Sequence, residues 1–107
     1  MRRLSAGLLA LTLLSCSDSA GPQTAAQRGE KIYRNTCTTC HALNPSQTGV
    51  LGPPVAGASS ELLEAKVVHG TYPPGYTPER TTAQMPRLPH LQDYIGDLTA
   101  YLDSVKP

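Results

Sequence analysis

The sequence predicts an all-α domain of three to four helices. Three observations point there. Apolar residues recur at helical spacing across residues 25–36 and 91–105, no β-hairpin signal or internal repeat appears, and the connecting stretches are rich in proline and glycine. With ten Pro, nine Gly and neither Phe nor Trp in 107 residues, a single small domain is expected, short of apolar surface for comfortable stability by itself.

Each element has a local reason. Thr24-Ala25-Ala26-Gln27 has the form of a capping box and opens the first helix. Ala25, Gly29, Ile32, Tyr33 and Thr36 then share one face. Glycine in mid-helix costs about 1 kcal/mol against alanine, so a tight helix crossing at Gly29 is expected. This helix delivers the chain to Cys37. Residues 44–57 read as an irregular loop. Ser60 is the expected cap of a second helix, with Glu61 and Glu64 near its positive end and Gly70 as its C-cap. Residues 71–84 form a long proline-rich loop. The last helix is expected from about His90 to Val105, with Pro89 tolerated in its first turn and Leu91, Tyr94, Ile95, Leu98, Tyr101, Leu102 and Val105 on its apolar face.

The chemistry concentrates in Cys37-Thr38-Thr39-Cys40-His41, a C-x-x-C-H sequence, which is the attachment signature of a c-type haem. Two thiols three residues apart can each add across one vinyl group of the macrocycle. A histidine four residues after the first thiol lies on the same face and can ligate the iron. Other readings of the pair are weaker. A zinc site wants four ligands, and no second C-x-x-C or H-x-x-x-H is present. A thioredoxin-like pair needs a strand before it. A plain disulfide suits an exported protein and stays open. One haem c per chain would supply the missing apolar centre, so the apoprotein is expected to fold poorly.

The N-terminus reads as an export signal over residues 1–15. Met1-Arg2-Arg3 is basic, and the apolar run of residues 4–14 is too short to span a bilayer. Leu13-Leu14-Ser15-Cys16 resembles a bacterial lipobox, in which Cys16 becomes the lipidated first residue of the mature chain. Lipidation would also dispose of the third cysteine, which would otherwise be an odd thiol in an oxidising compartment. Residues 16–23 would then be a lipidated end and flexible tether, with Ser17 to Thr24 reaching at most about 26 Å at about 3.3 Å per residue, and residues 24–107 the folded domain. Losing Arg2 and Arg3 leaves seven basic against eight acidic residues. Such a balance gives no strong steering field and no sign of nucleic-acid binding.

In their order along the chain, these motifs resemble a class I monohaem cytochrome c over roughly residues 24–106. The resemblance implies a small cytochrome c fold wrapped around one covalently bound haem. It implies that Pro53, in the Gly52-Pro53 pair, accepts a hydrogen bond from the proximal His41, with Pro54 leaving the register open by one. Met85, in Met85-Pro86, would be the distal ligand of the iron, and the terminal helices would cross at Gly29 and pack through Tyr33 and Tyr101. His69 and His90 are the rivals of Met85. Tyr72, Tyr76, Arg80 and Arg87 are candidate partners of the haem propionates.

A His–Met iron has no open position, which implies a one-electron carrier rather than an enzyme. The expected partners are redox proteins that dock near Leu43, Val50 and Leu51, and the expected place is the periplasmic side of a membrane, held by the N-terminal lipid, with the protein a monomer. The rival readings are a haem peroxidase, which would need His69, Glu79 or His90 as a distal acid–base group, and a haem-based sensor or assembly subunit. Both require Met85 to leave the iron.

Overall fold

The computed structural model describes residues 21–80 and 84–107. The expected signal segment and Cys16 lie outside these residues. Among the described residues every regular element is helical, as the periodicity predicts, and none is long and apolar enough to cross a membrane.

The first helix, α1 (Ala25–Ile32), starts as its sequence dictates. The Thr24 side chain accepts from the Gln27 amide at 3.2 Å, while the Gln27 side chain accepts from the Thr24 amide at 2.8 Å. The expected α-helix does not run unchanged to Cys37. It passes into a π-helical turn, Tyr33–Cys37. One extra residue in a turn rotates the residues after it by about 100° around the axis, and such turns recur at functional sites.

The second helix, α2 (Ser60–Leu63), continues into another π-helical stretch, Glu64–His69. Its N-cap is Ser59 rather than the expected Ser60. The Ser59 hydroxyl accepts from the Leu62 amide at 3.1 Å, and Ser60 already lies within the helix. Gly70 is the C-cap, at φ +70°, the left-handed conformation that glycine adopts without a Cβ penalty.

The C-terminal helix also differs from its expected form. Pro89–Tyr94 is a 3₁₀-helix and only Ile95–Ser104, α3, is α-helical. Three residues per turn do not keep a 3.6-residue stripe in line. Leu91 is accordingly buried and Tyr94 is exposed, although the sequence places both on one apolar face.

The principal packing is α1 on α3, with a smaller contact of α2 on α3. The crossing is close because of Gly29. A methyl group there would overlap the Asp97 carbonyl oxygen and stand 2.9 Å from the Tyr101 Cβ. Tyr33 and Tyr101 meet beside it with ring centroids 5.5 Å apart, a tilted pair. Arg28 bridges the same crossing with two 3.1 Å bonds to the Asp97 carboxylate, and that carboxylate raises its pKa. Tyr33, Leu63, Val67, Val68, Leu91, Ile95, Leu98, Tyr101 and Leu102 form one buried cluster. Cys37 and Met85 both pack against its edge.

Candidate functional site

The C-x-x-C-H segment leaves the π-helical turn as a tight bend. The Cys37 carbonyl accepts from the amides of Cys40 and His41 at 3.2 and 2.9 Å. The second of these is a helical i to i+4 bond, so Cys37 and His41 stand one turn apart. Both cysteines are partly buried free thiols. Burial pushes the Cys37 thiol up to about 11, which keeps it protonated at neutral pH.

His41 is held on two sides. Its Nδ1 lies 2.9 Å from the Pro53 carbonyl oxygen. A carbonyl can only accept, so Nδ1 carries a proton, and in the neutral ring Nε2 is then the atom with the lone pair. The bond goes to Pro53 and not to Pro54, which fixes the register of the Gly52-Pro53 pair. Gly52 is buried against the ring itself, where a methyl group would overlap Nδ1 and Cε1 and stand 2.9 Å from Cγ. Any larger residue there would turn the imidazole.

The following loop is laced to this segment. The Cys40 carbonyl accepts from the Leu51 and Gly52 amides at 3.1 and 2.9 Å, and the Gly49 amide donates to the Gly52 carbonyl at 2.9 Å. The Pro45 carbonyl accepts from Val55 and Ala56, and the Gly57 amide donates to Leu102 on α3 at 2.8 Å. Two contributors escape the sequence reading. Tyr33 is expected only to pack, yet its hydroxyl donates to the Ala42 carbonyl at 2.6 Å and ties the residue after His41 to the core. Gly49 is expected only as a loop breaker, yet a methyl there would stand 2.6 Å from the Ala42 nitrogen. A buried tyrosine four residues before Cys37 was the available signal for the first, because a buried phenol needs a partner.

Met85 is partly buried against the core cluster, and the residues after it bond back to the stretch Glu64–His69. Its two rivals are placed differently. His69 is exposed with Nε2 3.4 Å from Glu64, and His90 is exposed in the 3₁₀ turn. The candidate propionate partners divide. Tyr72 and Tyr76 stack on each other with centroids 5.4 Å apart, and the Lys66 ammonium lies 4.4 Å over the Tyr72 ring. Arg87 donates through Nε to the Val68 carbonyl at 3.4 Å. Arg80 and Glu79 are exposed. So are the three candidate docking residues, Leu43 at 60%, Val50 at 83% and Leu51 at 55%.

The donor set discriminates among ligands. Among the described residues no three His, Cys, Asp or Glu side chains converge, so Cys37 and Cys40 have no further such ligands grouped with them there. Two free thiols beside an imidazole whose Nε2 keeps its lone pair, with a thioether at the edge of the same apolar cluster, fit a covalently held haem.

Comparison with known proteins agrees with that chemistry. Residues 24–102 match the family described as cytochrome c oxidase, cbb3-type, subunit III. No curated protein gives a significant match to the chain.

Proposed function

The chain belongs to the family of cbb3-type cytochrome c oxidase subunit III, a family of haem-bearing electron-transfer domains, and from that premise we propose that it is a monohaem one-electron carrier of the class I type. Its all-α architecture is that of a small cytochrome c, and cytochrome c domains of this type are exported to the periplasmic side. The observation that carries the proposal is the hydrogen bond from His41 Nδ1 to Pro53, which leaves Nε2 as the ligand atom beside two free thiols.

In this reading Cys37 and Cys40 would hold the macrocycle by thioether bonds, and His41 Nε2 and the Met85 sulfur would ligate its iron. Bound there, the haem supplies reversible exchange of one electron. The Pro53 carbonyl orients the imidazole and raises its basicity. Thioether ligation and apolar surroundings both favour the ferrous state, so a high reduction potential is expected. Redox partners dock on Leu43, Val50 and Leu51. Residues 35–60 contain no Lys, Arg, Asp or Glu, so that docking should depend little on salt. Charging all three positions and finding unchanged transfer rates would remove this surface from the account.

Lipidation at Cys16 would tether the domain and suit it to shuttle between membrane-bound complexes. A Cys16→Ser variant should move to the soluble fraction. Recovery of that variant with the membranes would remove the anchor.

The central test uses holoprotein from a host that attaches haem to exported chains. Mass spectrometry should find one covalent haem. The ferric protein should show the far-red sulfur-to-iron band, and the ferrous protein should not bind carbon monoxide. Met85→Ala should lose the band and gain carbon monoxide binding. A wild-type protein that binds carbon monoxide readily would instead favour an open-iron enzyme or sensor.

A further inference from the structure

A helix ends with carbonyls that have no partner in the helix, and the negative end of its dipole collects there. At the end of the α2 segment, Gly70 and Thr71 turn back and donate to Lys66 and Ala65 at 3.2 and 2.9 Å. The carbonyls of Val67 and Val68 are the next to need donors, on residues only 5% and 3% exposed. Both donors come from the segment just beyond Met85. The Leu88 amide bonds the Val67 carbonyl at 2.6 Å, and Arg87 Nε bonds the Val68 carbonyl at 3.4 Å. The Arg87 stem also lies against Gly70, where a methyl group would stand 2.7 Å from its Cγ. Pro86 between them fixes its own φ, and it biases Met85 toward an extended backbone. Residues 85–88 are therefore a short stiff lever, fastened at one end to the π-helical stretch that follows α2 and bearing the thioether at the other.

We propose that Arg87, together with the Leu88 amide, is a latch that positions Met85, making Arg87 a positioning residue for the distal ligand. The proposal rests on the reading of Met85 as that ligand. Its role is distinct from pairing with a haem propionate, because the Nε bond to Val68 engages the helix end. Releasing the Val68 bond loosens the lever while His41, Pro53 and the proximal loop keep their contacts. The loss is then felt in how readily Met85 yields the iron to another ligand.

The test is imidazole titration of the ferric holoprotein at constant pH, read as loss of the far-red band. Arg87→Gln should bind imidazole about three- to tenfold more tightly than wild type, the net scale of one ordinary hydrogen bond, as suits a bond of 3.4 Å. Arg87→Lys keeps a cationic donor at the helix end and should lie within about threefold of wild type. Wild-type affinity in Arg87→Gln would overturn the latch. Amide exchange on the unaltered holoprotein tests it without a variant. The Leu88 amide should exchange far more slowly than that of exposed Gly75, and equal rates would overturn the latch. A wild-type protein without the far-red band would overturn Met85 as the ligand, while Leu88 protection would still report on the latch. The two failures are therefore separable.

Discussion

The two sides of the candidate haem site are made rigid by different means. The side bearing His41 is held by hydrogen bonds. Cys37, Cys40, Pro45, Gly52 and Pro53 offer carbonyls that accept from their own loop, and Tyr33, Ser46 and Gly57 fasten the loop to the rest of the chain. The side bearing Met85 has few such bonds. Among the described residues of 72–88, the Tyr76 amide bonds Pro73, Arg87 and the Leu88 amide bond the carbonyls of Val68 and Val67, and the Leu88 carbonyl accepts from Leu91. Pro73, Pro74, Pro78 and Pro86 have no amide to donate, so stiffness there comes from fixed φ angles instead. A hydrogen-bonded face resists local opening, whereas a proline-stiffened one can swing as a unit about its anchors. Ligand exchange is accordingly expected at Met85 and not at His41.

Glycine substitutions give the widest separation between the two sides. Gly52→Ala inserts a methyl group into the space of the His41 ring and must break either the ring position or its bond to Pro53. A loss of about 1–3 kcal/mol is expected, read as a lower melting temperature of the holoprotein. On the opposite side, Gly75 has φ +78°, and a methyl group placed there would have no neighbour within 4 Å. Gly75→Ala meets only the backbone penalty of the left-handed region, about 1 kcal/mol. A larger loss from Gly75→Ala than from Gly52→Ala would break the comparison.

Tyr33 tests the hydrogen-bonded side with a milder change. Tyr33→Phe keeps the ring against Tyr101 and removes the bond to Ala42, so a loss of about 1 kcal/mol is expected. It should also change the alkaline limb of the stability curve. Burial pushes the Tyr33 phenol up to about 12, from an ordinary value of about 10. Between those values the folded chain keeps a proton that the unfolded chain releases, so this stabilisation is complete below pH 10 and is lost as pH rises toward 12. Denaturant unfolding across that range should show a shallower decline for Tyr33→Phe than for wild type.

Legibility in the sequence divides along similar lines. Signals written in adjacent residues survive folding. The Thr24–Gln27 box, the Gly70 cap and the Gly29 crossing need only their own segment, or one neighbouring helix, to be read. The bond from His41 to Pro53 was implied by resemblance alone, because nothing local distinguishes Pro53 from Pro54 as acceptor. Other features depend on tertiary competition. Tyr94 leaves the apolar face because the chain after Pro89 winds as a 3₁₀-helix, a choice that hydrophobic spacing does not record. Neither π-helical stretch has a sequence mark, since each adds one residue to a turn whose composition is ordinary for a helix. The Val67–Leu88 and Val68–Arg87 bonds join groups about twenty residues apart, beyond any spacing rule.

The adjacent serines before α2 give the smallest and sharpest test. Either can cap a helix by composition, and the structure uses Ser59, whose hydroxyl meets the Leu62 amide. Ser59→Ala should cost about 0.5–1 kcal/mol, because it leaves a first-turn amide to water. Ser60→Ala replaces a residue already inside the helix with a better helix former, so no loss beyond about 0.5 kcal/mol is expected. The difference should also reach Met85. The helix that Ser59 starts is the one whose far end anchors Leu88 and Arg87, so fraying α2 weakens the anchor without touching the His41 loop. Ser59→Ala should therefore bind imidazole slightly more tightly at the ferric iron than Ser60→Ala, with the covalent haem attachment unchanged. Equal melting temperatures and equal imidazole affinities in the two variants would mean that α2 does not transmit its stability to the distal side.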